Sequence, residues 1–327
     1  MTYTLGGTIT AADYNSLIAS VNAVWGQGTG DSGYGGKSKN VLSNTVNLPS
    51  LAANDVVENE QWLDLRNALA DCAAHQGTTL PAALPSLADI EDGDPVEYFP
   101  TLMSAANIAL LTTNRFNIDL LNYELITKLS STRTTAWGTG NLGQPVTITH
   151  EFTVSFTDSD HARHFFNTDG DIRFAASRTG GSTSPQNQSW TDMLASHSFI
   201  FTHTHYYALT TSDVTLAKFY PSATTTYGNP DAVDADKNSW TITARRDDAA
   251  GPNGGNGSII HFKSIFYDGF YGPTEDGLAY PPYPATPVGG LPDLVDGILT
   301  SSISQKRSFE YFNIPTPVYT NIVQLNT

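Results

Sequence analysis

The chain of 327 residues contains a single cysteine, Cys72. One thiol closes no internal disulfide, so the fold must stand on packing and hydrogen bonding. Cations are scarce as well: 16 Lys and Arg face 32 Asp and Glu, a formal charge of −16. That field repels polyanions, so neither nucleic acid nor an anionic membrane is an expected partner. Charged residues of both signs make up only 15%, below the roughly 25% of an ordinary soluble domain. No window approaches the ~18 apolar residues of a bilayer span, so no membrane insertion is expected. The opening MTYTLGGTITAADYN has no basic start followed by an apolar run, which argues against a secretory signal and for synthesis in the cytoplasm. GxSxG, HExxH, P-loop and paired CxxC patterns are missing, as are β-helical repeats. The chain is therefore not expected to be an enzyme.

What is present is enough for a core. Hydrophobic residues reach 39% and aromatics 11%, so the chain is not disordered by composition. Threonine, serine, asparagine and glycine take the place of charge, a surface common to extracellular β-proteins and virus particles. In the N-terminal part, Tyr14, Leu17, Ile18, Val21 and Trp25 recur at helical spacing after a Thr10 cap, and Gly26 stops the helix. A second helix carries Trp62, Leu65, Leu69 and Cys72 and ends at Gly77. The spacing of Ile9, Tyr14, Leu17 and Val21 is repeated by Val57, Trp62, Leu65 and Leu69, a weak internal duplication. Two such faces would pack on each other or on copies from neighbouring subunits. Cys72 reads as a small buried hydrophobe. LPAALPSLADIEDGDP reads as a linker, and the apolar run from Leu102 to Leu129, with Phe116, as a third helix buried between subunits or domains.

From Val146 the period changes to two. Ile148, His150, Phe152, Val154 and Phe156 share one face of a strand. ARHFFNTDGDIRFAASR (162–178) reads as a hairpin turning at Asp169-Gly170, SFIFTHTHYYALT (198–210) as a strand, and residues 239–270 as a long hairpin. The expected fold is α+β: an N-terminal helical region, then a C-terminal antiparallel β-sandwich or meander barrel with extended loops. Its parts are a helical docking region at 1–79, a proline- and acid-rich linker at 80–100, a long helical segment at 101–140, and a β domain with a C-terminal arm at 141–327.

Candidate chemistry is thin, and no cofactor is required. In a strand, His203 and His205 would point the same way. Three chains about a threefold axis would then offer six nitrogens to a transition metal such as iron(II) or nickel. The plainer reading leaves two satisfied or solvent-facing histidines. His161 and His164 suit a cap or turn ahead of a strand. Asn167, Asp169 and Asp171 resemble part of a calcium loop, but the spacing excludes an EF-hand and a turn suffices. The clusters DIEDGD (89–94) and VDADK (233–237) read as solvated loops. The Tyr-rich loop FYDGFYGPTEDGLAYPPYP (266–284), with Tyr271, Tyr280 and Tyr283, suits either contact with host-surface glycan or an arm laid on a neighbouring subunit.

Several stretches resemble virion proteins of tailed bacteriophages, particularly marine and cyanobacterial phages. They are GGTITAADYNSLIASVNAVWGQGTGDSGYG, ENEQWLDLRNALADCAAHQG, SSTRTTAWGTG (130–140), HARHFFNTDGDIRFAASRTGG and QSWTDML (188–194). The resemblance covers residues 1–200 well and the rest loosely. It implies a structural component of the tail, baseplate, fibre or neck, located in the virion and acting through oligomeric assembly. The expected partners are copies of itself, a trimer before a hexamer, and other virion proteins. It also implies a use for His-x-His, since fibres of contractile-tailed phages bind metal through such pairs. Under this reading Tyr14, Leu17, Val21, Trp25, Trp62, Leu65, Leu69 and Phe116 form interfaces. The rival reading is a receptor-binding module that recognises glycan through the Tyr-rich loops.

Overall fold

In the computed structural model, the face expected from the period-two run is buried on one strand. Ile148, His150, Phe152 and Val154 are at most 3% exposed along Val146–Ser155, and Phe156 follows just beyond. The structure describes residues 11–26, 33–36, 47–86, 105–139, 146–183, 185–221, 238–250, 256–268, 293–320 and 323–326. Tyr271, Tyr280, Tyr283, the Thr10 cap and both acidic clusters lie outside these residues.

In chain order the elements are α1 (Ala11–Asn22), α2 (Asn59–Gln76), α3 (Ala105–Thr113), β1 (Tyr123–Arg133), β2 (Trp137–Thr139), β3 (Val146–Ser155), α4 (Ser159–Asn167), β4 (Asp171–Thr179), α5 (Pro185–Ser196), β5 (Ser198–Phe201), α6 (His203–Ala208), β6 (Val214–Phe219), β7 (Ser239–Arg246), β8 (Ile259–Asp268), β9 (Asp293–Val295), β10 (Ile298–Ser308), β11 (Val318–Tyr319) and β12 (Val323–Asn326). The fold is α+β. A smaller sheet runs β1-β10-β4-β5 and a larger one β11-β3-β8-β7-β6, with β12 also on β3; β2 pairs β9. Every pairing is antiparallel.

The two sheets meet as a sandwich. Phe174 of β4 lies 5.6 Å from Phe152 of β3 and 5.2 Å from Phe262 of β8, centroid to centroid. Phe201 of β5 meets Phe262 edge-on at 5.1 Å. The β7–β8 hairpin forms as its sequence predicts, with Trp240 opposite Phe266 and Ala244 opposite Phe262.

Helices α1 and α2 also form where expected, and they pack on each other. Tyr14 meets Trp62 edge-on at 5.1 Å. Gly77, at φ 66°, ends α2 in the left-handed conformation that glycine adopts most easily. Cys72 is buried among apolar neighbours, as its spacing predicts.

Three expectations are corrected. The long helix over 102–129 is only α3; after a turn the chain becomes strand β1. A dense apolar run satisfies helical and strand spacing alike, and the hydroxyl-rich SSTR tail of β1 favours extended backbone. The 162–178 hairpin is helix α4 followed by strand β4. Asp158 caps α4 by accepting from the His161 amide at 2.7 Å, and that cap decides the conformation. Third, the 1–79 region is not a separate docking body. Phe312, far along the chain after β10, inserts among its rings at 5.5 Å from Trp25, 4.7 Å from Tyr34 and 5.0 Å from His75.

Candidate functional site

The His203–His205 pair is not on a strand. Backbone pairing in β5 ends at Phe201, and Thr202 caps the short helix α6. The Thr202 amide donates to Nδ1 of His205 at 3.1 Å, the return half of a capping box. Residues two apart on a helix diverge by about 200°, so the same-face premise of the metal site fails. His203 stacks flat on Phe116, centroids 3.7 Å apart at 7°, and the Arg115 guanidinium lies 4.5 Å over the same ring. His205 packs instead on Phe199 and Phe201. Burial lowers the pKa of both imidazoles, and Arg115 adds to the effect at His203. Among the described residues no three His, Cys, Asp or Glu side chains gather as a metal set.

The expected interface residues separate into two groups. Tyr14, Leu17, Val21, Trp25, Leu65 and Leu69 are at most 4% exposed and belong to the chain's own core, so none is available to a neighbouring copy. Trp62 and Phe116 remain half-buried, one against Tyr14 and the other against His203.

The NTDGDI stretch serves as a clamp and not as a calcium loop. Asn167 donates to the Gly33 carbonyl at 2.9 Å and accepts from the Tyr207 hydroxyl at 2.9 Å. Asp169, at φ 60°, leads out of α4. Its carboxylate accepts from Lys306 Nζ at 2.7 Å, and the same ammonium lies 3.4 Å from Asp171. Arg173 grips Asp171 with two bonds of 2.8 and 3.0 Å. The local cations are already committed to these carboxylates, which answers the charge that a calcium ion would have neutralised. Lys306 and Arg173 are functional to the fold, and sequence reading missed them because they come from β10 and β4, which only the sheet brings together.

Three histidines, His75, His150 and His161, are buried, and His164 is half-buried beside them. His75 is fully buried, ringed by Tyr34 at 4.9 Å and Phe312 at 5.0 Å, with Ser308 Oγ 3.5 Å from Nδ1. Burial, with Lys306 nearby, lowers its pKa to about 3. His150 is held at about 4 by burial and then by Arg133, and neither ring nitrogen has a hydrogen-bond partner among the described residues. His164 is likewise lowered to about 4, chiefly by burial. The tight loop at Gly35 closes over it: a Cβ there would meet Nδ1 at 2.8 Å. His161 takes a capping role, but in the first turn of a helix and not ahead of the strand expected there. Its Nδ1 receives the Thr157 amide at 3.1 Å and its Nε2 lies 2.8 Å from the Pro315 carbonyl.

These arrangements are structural in their chemistry. The hydroxyls, carboxylates and ring nitrogens in contact here serve caps, clamps and sheet joints. A small, mostly apolar cavity is lined by Ser20, Val21, Val24, Leu69, Cys72, Ile108 and Leu111, and its one hydroxyl, on Ser20, already donates to the Ser16 carbonyl at 3.1 Å. Compared with protein-family models, curated proteins and solved structures, the chain matches none. No helix among the described residues is long and apolar enough to cross a membrane.

Proposed function

We propose that this chain is a structural component of a tailed-bacteriophage virion, in the tail, baseplate, fibre or neck, and that it acts by assembling. The observation that carries the reading is a solvent-facing apolar run at the start of β1. Leu120, Leu121, Leu125 and Ile126 are 77%, 84%, 50% and 39% exposed, four large apolar side chains within seven residues. Isolated exposed leucines are ordinary, whereas several beside a sheet edge that has no partner strand among the described residues favour burial against another chain. The hydroxyl-rich, charge-poor surface and the resemblance of residues 1–200 to phage virion proteins support the same reading.

The test is to purify particles of the phage that encodes the chain and count it by quantitative mass spectrometry. Expected is a fixed number of copies per particle, removed only when the particle is dismantled. A chain absent from purified particles, or present at a level that washing removes, overturns the proposal.

A further inference from the structure

The smaller sheet ends in β1, which has β10 on one side and no strand on the other among the described residues. Ten residue pairs tie β1 to β10, from Tyr123–Ser308 to Arg133–Leu299, so the strand is firmly set and its outer edge is long. Such an edge carries backbone donors and acceptors that another strand can satisfy. The apolar run lies at its beginning, and Phe309 extends it: the Phe309 amide donates to the Asn122 carbonyl at 3.3 Å, and its side chain is 39% exposed.

Charge identifies the occupant. About Ile126 the strand is its own complement. If a second β1 runs antiparallel with Ile126 opposite Ile126, then Leu125 faces Thr127 of the other copy and Glu124 meets Lys128 at the end of the paired stretch. The Glu124–Lys128 match occurs twice, once on each side of the axis. Both charges are available. Arg307 holds only Oε1 of Glu124, through Nε and Nη2 at 2.7 Å each, leaving Oε2 for a second cation. Lys128 makes no ion pair among the described residues.

The register between β1 and β10 shifts between Thr127 and Leu129, which places Lys128 at a bulge. A bulge twists the edge, so regular pairing stops at the Glu124–Lys128 pairs and does not pass beyond them. The contact is therefore short and closed by its own symmetry, and it does not extend into an endless sheet.

We propose that β1 joins two copies of this chain, antiparallel, about a twofold axis at Ile126. This rests on the self-assembly part of the function proposed above and names its surface. A contact of this kind builds a dimer, or a hexamer when combined with a threefold axis; alone it does not build the trimer expected from sequence.

The test uses the full chain and three substitutions. Mass photometry and sedimentation equilibrium should show a concentration-dependent dimer. Lys128→Glu turns two attractive pairs into two repulsive ones and should weaken dimerisation by roughly tenfold or more. Ile126→Cys should give a covalent dimer on mild oxidation, because paired strands bring these positions within disulfide reach. Thr132→Cys, near the far end of the strand, should not; the native Cys72 is buried and silent. Melting curves check that each variant folds, and the cysteine pair decides the matter should Lys128→Glu unfold. A monomer throughout the micromolar range overturns the proposal. So does a dimer that Lys128→Glu leaves unchanged, or one that cross-links no better at 126 than at 132. Particle content is a separate readout. A chain found in virions without the β1 contact sinks only this surface, and a β1 dimer absent from virions sinks only the virion reading.

Discussion

Lowering the pH from 7.5 to 5 should remove about 4 kcal/mol of folding stability through His75 and His150 alone. Both are essentially unexposed, and burial lowers their pKa values from 6.5 to about 3 and about 4. In the unfolded chain each takes up a proton as the pH falls through 6.5, while in the folded chain each stays neutral until far lower. The unfolded state therefore binds more protons throughout that window. Stability is complete above about pH 7 and falls as acid is added, by about 1.4 kcal/mol per pH unit per histidine. At pH 5 each has lost about 2 kcal/mol, a figure that depends on the unfolded value and scarcely on how low the folded one lies. His164, partly exposed, adds a smaller loss of the same sign. Against a typical total of roughly 5–15 kcal/mol, this brings the fold close to acid unfolding near pH 4. Urea denaturation between pH 5 and 8 measures the slope. His150→Leu keeps the volume, removes two unpartnered nitrogens and should reduce the slope by one proton. Equal stability at pH 7.5 and 5, or a slope that His150→Leu does not change, would refute the reasoning.

Other expectations concern single contacts. Lys306→Ala removes the cation shared by Asp169 and Asp171, while Arg173 still holds Asp171, and should cost about 1–3 kcal/mol in thermal or urea unfolding. Gly35→Ala places a methyl against His164 at a φ of 89° and should cost at least about 1 kcal/mol by the same assay. Cys72→Ser puts a hydroxyl among Val21, Val24, Leu69 and Leu111, for a loss of about 1–3 kcal/mol; the native thiol should react with a thiol reagent only after unfolding, since burial raises its pKa. His205→Ala should cost about 1 kcal/mol through the lost cap at α6, and melting temperatures with and without added nickel should coincide.

The α1 and α2 helices were legible because each has one apolar face, and α2 also has Gly77 where it stops; α1 ends at Asn22, short of the Gly26 expected to stop it. The β3 face was legible because apolar residues recur at every second position from Ile148 to Phe156, with His150 the one polar member of that face. Legibility failed wherever a cap, and not periodicity, selected the backbone. Asp158 starts α4 although Phe165-Phe166 suggests a strand. Thr202 starts α6 with a histidine as its capping partner, where glutamate or glutamine is the familiar signal. The misreading of α6 produced the metal site, since two imidazoles share a face only in extended backbone. The interface was misplaced for a different reason. Apolar faces on α1 and α2 are identifiable from spacing, but spacing does not show that the two helices cover each other and that Phe312, almost at the other end of the chain, closes the cluster at Trp25 and His75. The sheet edge at β1 was hidden because its apolar run suits a helix equally well.

The smaller sheet has a consequence for how each copy is made. Strand β10 lies between β1 and β4, and Phe312 follows it by only a few residues. Until ribosomes have delivered this late stretch, β1 and β4 have nothing to join them and the rings around His75 lack their keystone. Nascent chains must therefore hold β1, β4 and β5 in waiting, and prematurely terminated products should be cleared by proteases before they can fold.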